Sequence, residues 1–118
     1  MIGDTRIRRR VTTVVASGFT TGTVSANAKA AEFCDQHHIS IVPKGTITAG
    51  AVRVRGKPVG TDSETRLSLD LESVVMSGST QLTFFIMGFF DRFEVESSGL
   101  TGGSVTVVVN STVSGVGQ

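Results

Sequence analysis

The sequence predicts an all-β domain, an antiparallel β-sandwich or jelly roll of about seven or eight strands. Three observations carry this expectation. Apolar residues recur with a period of two in several windows, as half-buried strands require, because successive side chains point to opposite faces. Turn signals built on glycine, proline and serine separate those windows at short intervals. Helix formers are scarce, whereas Val, Thr and Ser abound alongside 14 glycines. A chain of 118 residues predicts one domain, long enough to bury most of its unfolded surface around one core.

Residues 1–10, MIGDTRIRRR, carry four arginines and one aspartate with almost nothing to bury. They read as a flexible basic arm in front of a single sandwich over residues 11–118. Four arginines are a thin signal for nucleic acid, whose basic tails run denser and longer, so nucleic acid is disfavoured as a partner. The arm reads instead as a solvated leader or as a segment that orders against a neighbouring subunit.

Val11 to Ala16 is a first strand, followed by punctuation at Gly18 and Gly22. Thr21 to Asn27 is a second, with Val24 and Ala26 opposite Thr23 and Ser25. Ala28 to Asp35 is the only window with helical propensity; at barely two turns it is a short helix or an Ala-rich strand. Strand character resumes at His37 and ends at Pro43, with a turn at Lys44-Gly45. Thr46 to Arg55 is the longest expected strand, and Gly50 within it predicts a bulge that re-phases the alternation. Val52 and Val54 then face inward, so Arg53 and Arg55 share the outer face. A long exposed loop runs over residues 56–64. Leu67, Leu69 and Leu71 alternate with Ser68, Asp70 and Glu72 in a one-sided strand, and Met76 to Ser79 form a turn. Gln81 to Met87 is apolar on both faces, which predicts a central strand covered on two sides. Gly88 to Asn110 reads as a β-hairpin, with Phe93 and Val95 on one arm and Val105, Val107 and Val109 on the other. Its wide connection, Ser97 to Gly103, tucks Leu100 back on the core. Residues 111–118 cross to a partner or fray.

Composition excludes more chemistry than it offers. Trp and Tyr are absent, which counts against sugar-binding and antibody-like surfaces that stack on them. The single cysteine, Cys34, forbids an internal disulfide. No hydrophobic signal segment follows Arg10, and no apolar run reaches the ~20 residues of a membrane span, so no membrane role is expected and the product is made in the cytoplasm. Residues 1–60 hold nine Lys/Arg against three Asp/Glu, while residues 61–118 hold two against seven. Such asymmetry serves head-to-tail association or docking on an oppositely charged partner, unless interleaved strands average it out.

Cys34-Asp35-Gln36-His37-His38 is the only cluster of potential metal ligands, and too few ligands are present to complete a zinc site. On a strand His37 and His38 point to opposite faces. The expectation is a buried Cys34 with rim histidines, rather than a Cys–His nucleophile. The carboxylate pairs Asp62/Glu64, Asp70/Glu72 and Glu94/Glu96 lie at i, i+2 spacing on one strand face; they read as solvent-exposed, or as meeting Arg53, Arg55 and Arg66 across strands, rather than as dividing acid and base roles. Gly99 to Gly103 lacks the Lys-Ser/Thr ending of a phosphate loop, and no Asp-rich calcium loop appears. Asn110-Ser111-Thr112 matches a glycosylation acceptor, a motif that matters only on a secretory route. No catalytic, metal or cofactor residues are therefore assigned, and the protein is expected not to be an enzyme.

Three segments together carry a likeness: Ile41-Val42-Pro43-Lys44-Gly45-Thr46-Ile47-Thr48-Ala49-Gly50, then Val52 to Pro58, then Phe89-Phe90-Asp91-Arg92-Phe93-Glu94-Val95 leading through Gly99-Leu100-Thr101-Gly102-Gly103 into Val105 to Val109. Over roughly residues 40–110 this resembles small β-rich virion proteins of tailed bacteriophages. The resemblance implies a capsid decoration or cement protein, often trimeric, or a component of the neck and tail. It implies major-capsid or other virion proteins as partners, a homo-oligomer and a place in the virion. The expected protein interface is Arg6, Ile7, Arg8, Arg9 and Arg10 of the arm, with Arg53 and Arg55 on the outer face. From a different class, the alternative is a β-sandwich module that binds a host glycan.

Overall fold

The computed structural model describes residues 10–28, 31–59 and 69–113. Arg6, Ile7, Arg8 and Arg9 of the expected arm, the loop carboxylates Asp62 and Glu64, Arg66 and Leu67 lie outside the described residues. Six strands form: β1 (Arg10–Phe19), β2 (Gly22–Asn27), β3 (Gln36–Pro58), β4 (Leu69–Val75), β5 (Leu82–Met87) and β6 (Phe90–Thr112). All pairings between them are antiparallel.

β3 and β6 organise the rest. Each is 23 residues long, and they pair with one another from Gln36↔Thr112 to Pro58↔Phe90. Both bend at the same place, so one pair of strands serves two layers. The first layer runs β1, the C-terminal half of β6, the N-terminal half of β3, then β5. The second runs β2, the N-terminal half of β6, the C-terminal half of β3, then β4. The layers face each other: His37 of the first sets its ring 5.4 Å from that of Phe93 and 5.5 Å from that of Phe90, both of the second. The expected sandwich is thus present, and the expected seven or eight strands correspond to the segments of these six.

The bend has a steric cause. Gly45 and Gly50 on β3, and Gly99 and Gly102 on β6, all have positive φ. Gly45 pairs with Gly103, and a Cβ at Gly102 or Gly103 would run into the carbonyl oxygen of Thr46 or Lys44 respectively. The two backbones approach more closely there than any side chain permits. The register slips between Gly45 and Ala49 and again between Ala49 and Ala51, which places the expected bulge at Gly50.

Several expectations are corrected. Gly88 to Asn110 is not a hairpin: its two arms are the two halves of β6, and each pairs with β3 instead of the other. Alternation, a glycine cluster and renewed alternation describe a bent strand as well as a hairpin. For the same reason β3 does not stop at Pro43 or turn at Lys44-Gly45. β5 is an edge strand, paired only with β3, and its Phe85 and Met87 point outward. Of Ala28 to Asp35, residues 29 and 30 lie outside the described residues; the described ones form no strand and no α-helix, and Ala31 stands in a 3-10 turn. Ala31 N–H donates to the Ala28 carbonyl (2.8 Å) and Cys34 N–H to the Ala31 carbonyl (2.9 Å), two tight turns that bury Ala28, Ala31 and Cys34.

The core is the set of inward positions of both layers. Ile39, Ile41, Val105, Val107 and Val109 come from the first, and Val52, Val54, Phe93 and Val95 from the second, all with no exposed surface. Each such side chain contributes about 1.5–3 kcal/mol through removal from water. Leu100 packs against this cluster, as expected from its place in the glycine-rich bend.

Candidate interaction surfaces

The outer face of the second layer carries an ionic network. Arg55 donates through Nε to Asp70 Oδ1 at 3.0 Å, and its Nη1 and Nη2 lie 3.3 Å from Glu94 Oε1 and Glu96 Oε1. Arg53 Nη1 lies 3.5 Å from Glu96 Oε1. Partial burial works to lower the Arg55 pKa, but Asp70, Glu96 and Glu94 outweigh it and raise the group above its ordinary value. Arg53 and Arg55 share the outer face as expected, yet their charge is met within the chain. The register places the partners: Arg55 sits opposite Glu94 on one side and Asp70 on the other.

The Cys34 to His38 cluster separates as strand alternation requires. Cys34 is fully buried. His37 is not a rim residue: it is also fully buried, a correction that follows from its phase on β3. Its Nε2 lies 2.7 Å from the Gly88 carbonyl oxygen, which can only accept, so Nε2 carries the proton. Nδ1, at 2.8 Å from Ser111 Oγ, then accepts from the serine hydroxyl. Both ring nitrogens are committed, and neither is left to activate the Cys34 thiol. Burial lowers the His37 pKa below its ordinary value, against weaker upward pulls from the Gly88 carbonyl, Asp35 and the Cys34 backbone. His38 points the other way and rests its ring on Phe85, 4.9 Å between centroids. Among the described residues, no three His, Cys, Asp or Glu side chains converge on a metal position.

The outer face of the first layer is different in kind. Cross-strand rows run Arg10–Thr112–Gln36–Met87 and Thr12–Asn110–His38–Phe85. A shallow depression of about 370 Å³ is lined by Arg10, His38, Asn110 and Thr112. Thr12 Oγ1 donates to Asn110 Oδ1 at 2.8 Å, and Thr112 Oγ1 to Gln36 Oε1 at 3.4 Å. The sequence places Arg10 in the arm and Asn110 in a glycosylation motif; that the two share a surface follows only from the pairing of β1 and β6.

One end of the sandwich is apolar. Phe33 is 66% exposed, Met87 61% and Phe89 52%. Their segments are joined at this end by the backbone: Met87 pairs with Gln36, Gly88 N–H donates to the Asp35 carbonyl and Val59 N–H to the Phe89 carbonyl. Arg10, the first residue of β1, lies in the same row as Met87.

No protein-family model matches the chain, and no curated protein matches it in sequence. Solved structures resemble it in shape. The SPBc2 prophage-derived protein YomS superposes with a TM-score of 0.55 at 13% identity, covering 90% of this chain and 95% of that one. The PBSX exported protein XepA gives a TM-score of 0.60 at 15% identity, covering 89% of this chain but only 38% of that one. The family 29 carbohydrate-binding module CBM29_1 of Piromyces equi gives 0.50 at 19% identity, covering 87% and 91%. Likeness at these identities establishes the fold alone, an antiparallel β-sandwich.

Proposed function

We propose that this protein is a non-enzymatic structural component of a bacteriophage virion, a decoration or cement protein that docks on major-capsid subunits from outside. The observation that carries the reading is the apolar end. Three large side chains, Phe33, Met87 and Phe89, each stand more than half exposed on segments that the backbone joins at one end, and apolar exposure concentrated at one end suits a protein–protein contact. Arg10, the first described residue, lies at that same end, and a terminal segment that docks on a neighbour adds contact area without enlarging the core. The shape shared with a prophage-derived protein supports the reading. Repeated in a trimer, modest contacts of this type gain avidity by orders of magnitude. Because Arg53 and Arg55 spend their charge on Glu94, Glu96 and Asp70, the arm and the apolar end are the principal attachment elements, with the ionic face subsidiary.

The test uses particles lacking the protein. Wild type, a variant without residues 1–9, and the Phe33→Ser/Phe89→Ser double variant are rebound to such particles, and occupancy is measured by electron microscopy. Both variants should keep the wild-type far-ultraviolet circular dichroism spectrum and lose occupancy. Full occupancy by both removes the proposal.

A further inference from the structure

We infer that the outer face of the first layer is a binding site for a carboxylate-bearing saccharide, such as a uronic acid unit, held by Arg10, Asn110, His38 and Phe85. This goes beyond the virion reading and stands or falls independently of it.

The chemistry of the face selects the ligand. Outward positions on its four strand segments carry Arg10, His38 and Lys44 and no carboxylate. The opposite layer, by contrast, interleaves Arg53 and Arg55 with Glu94, Glu96 and Asp70. A cationic group that meets no acid on its face among the described residues can be matched by an anion from outside, and a guanidinium binds a carboxylate through two parallel hydrogen bonds.

The neighbouring groups decide what else the anion bears. Thr12 occupies Asn110 Oδ1, and Thr112 reaches Gln36 Oε1, so the amide NH₂ groups of Asn110 and Gln36 are the ends left to donate. Neutral donors around a single guanidinium suit hydroxyl-rich ligands with one carboxylate better than a phosphate, which draws several cations. Phe85 lies 4.9 Å from the ring of His38, which lines the depression, and is 45% exposed, presenting a ring surface next to that histidine. An apolar ring face beside convergent polar groups is what a pyranose offers a use for, with its C–H face on the aromatic ring and its hydroxyls on the amides. The volume of about 370 Å³ lies within the range of small-ligand sites.

The test is a titration of the full chain, followed by two-dimensional amide NMR, with digalacturonic acid, the neutral disaccharide galactobiose, and a hexaglutamate peptide. Digalacturonate should shift the amides of Arg10, His38, Asn110 and Thr112, and should bind about tenfold tighter than galactobiose, the difference a charged hydrogen-bonded pair makes. Arg10→Gln should remove that preference, and Phe85→Ala should weaken both sugars together. Arg53→Gln, on the other layer, should change neither. Equal binding of the neutral sugar, an Arg10→Gln variant that keeps the preference, shifts confined to the second layer, or binding of hexaglutamate without digalacturonate would each overturn the inference.

Discussion

His37 makes the fold sensitive to mild acid, and the size and direction of the effect follow from its surroundings. The ring lies against Phe90 and Phe93, between Ser111 and the Gly88 carbonyl, with no exposed surface. Protonation does not break its hydrogen bonds. Nε2–H still donates to Gly88, and Ser111 Oγ can turn to accept from a protonated Nδ1. The penalty is the burial of charge among aromatic rings, which lowers the folded-state pKa, partly countered by the Gly88 carbonyl and Asp35. With the folded pKa below the unfolded one, the unfolded chain binds more protons in the interval between them, so unfolding free energy rises with pH. Stability is complete above the unfolded value of about 6.5 and is lost as pH falls toward the folded value, by up to about 1.4 kcal/mol per pH unit for one proton. The assay is urea unfolding at a series of pH values between about 7.5 and 5.5, above the main carboxylate range. Far-ultraviolet circular dichroism is the probe, since the chain has no Trp or Tyr. His37→Gln should be less stable at neutral pH by about 1–3 kcal/mol, because a buried partner goes unmet, yet show a flatter profile; His38→Gln on the opposite face is the control for loss of an imidazole. A wild-type profile that is flat below about pH 6.5, or a His37→Gln profile as steep as wild type, refutes the reasoning.

Gly102→Ala should destabilise by about 2 kcal/mol or more, because it places a Cβ at a φ of +96° and against the Thr46 carbonyl oxygen; Gly78→Ala, where φ is also positive but nothing lies within 4 Å, should cost less in the same denaturation experiment. Phe93→Ala should cost about 3–5 kcal/mol, measured as a fall in the urea midpoint, since the ring is wholly buried at the contact between layers. Arg55→Gln should cost no more than about 1 kcal/mol despite its three carboxylate partners, because those pairs are open to water, and the loss should shrink further in high salt.

The inward set of valines was legible in the sequence because alternation reports burial directly. Val52, Val54, Val105, Val107 and Val109 all point inward where the period of two puts them. The bulge at Gly50 and the pairing of Arg53 and Arg55 with carboxylates were legible for a similar reason: each depends on residue type and phase alone. Which strands pair was not. The halves of β6 look locally like hairpin arms, and only the backbone of β3 alongside shows that they continue one another. His37 and His38 could not be ranked from sequence either, since the groups that satisfy His37 lie 51 and 74 residues away. The first-layer face stayed hidden on the same account, because Arg10, His38 and Asn110 share a surface only once β1, β3 and β6 are in register.

Threading β3 and β6 through both layers ties the fate of each layer to the other. Ile39 meets Val109 and Val54 meets Val95, so the first productive contacts join parts of the chain tens of residues apart. Closing such loops before any contact rewards them makes the approach to the native state slow. The same wiring acts in reverse. Melting either layer means pulling apart a ladder that runs on into its neighbour, so the two layers should unfold in one cooperative step.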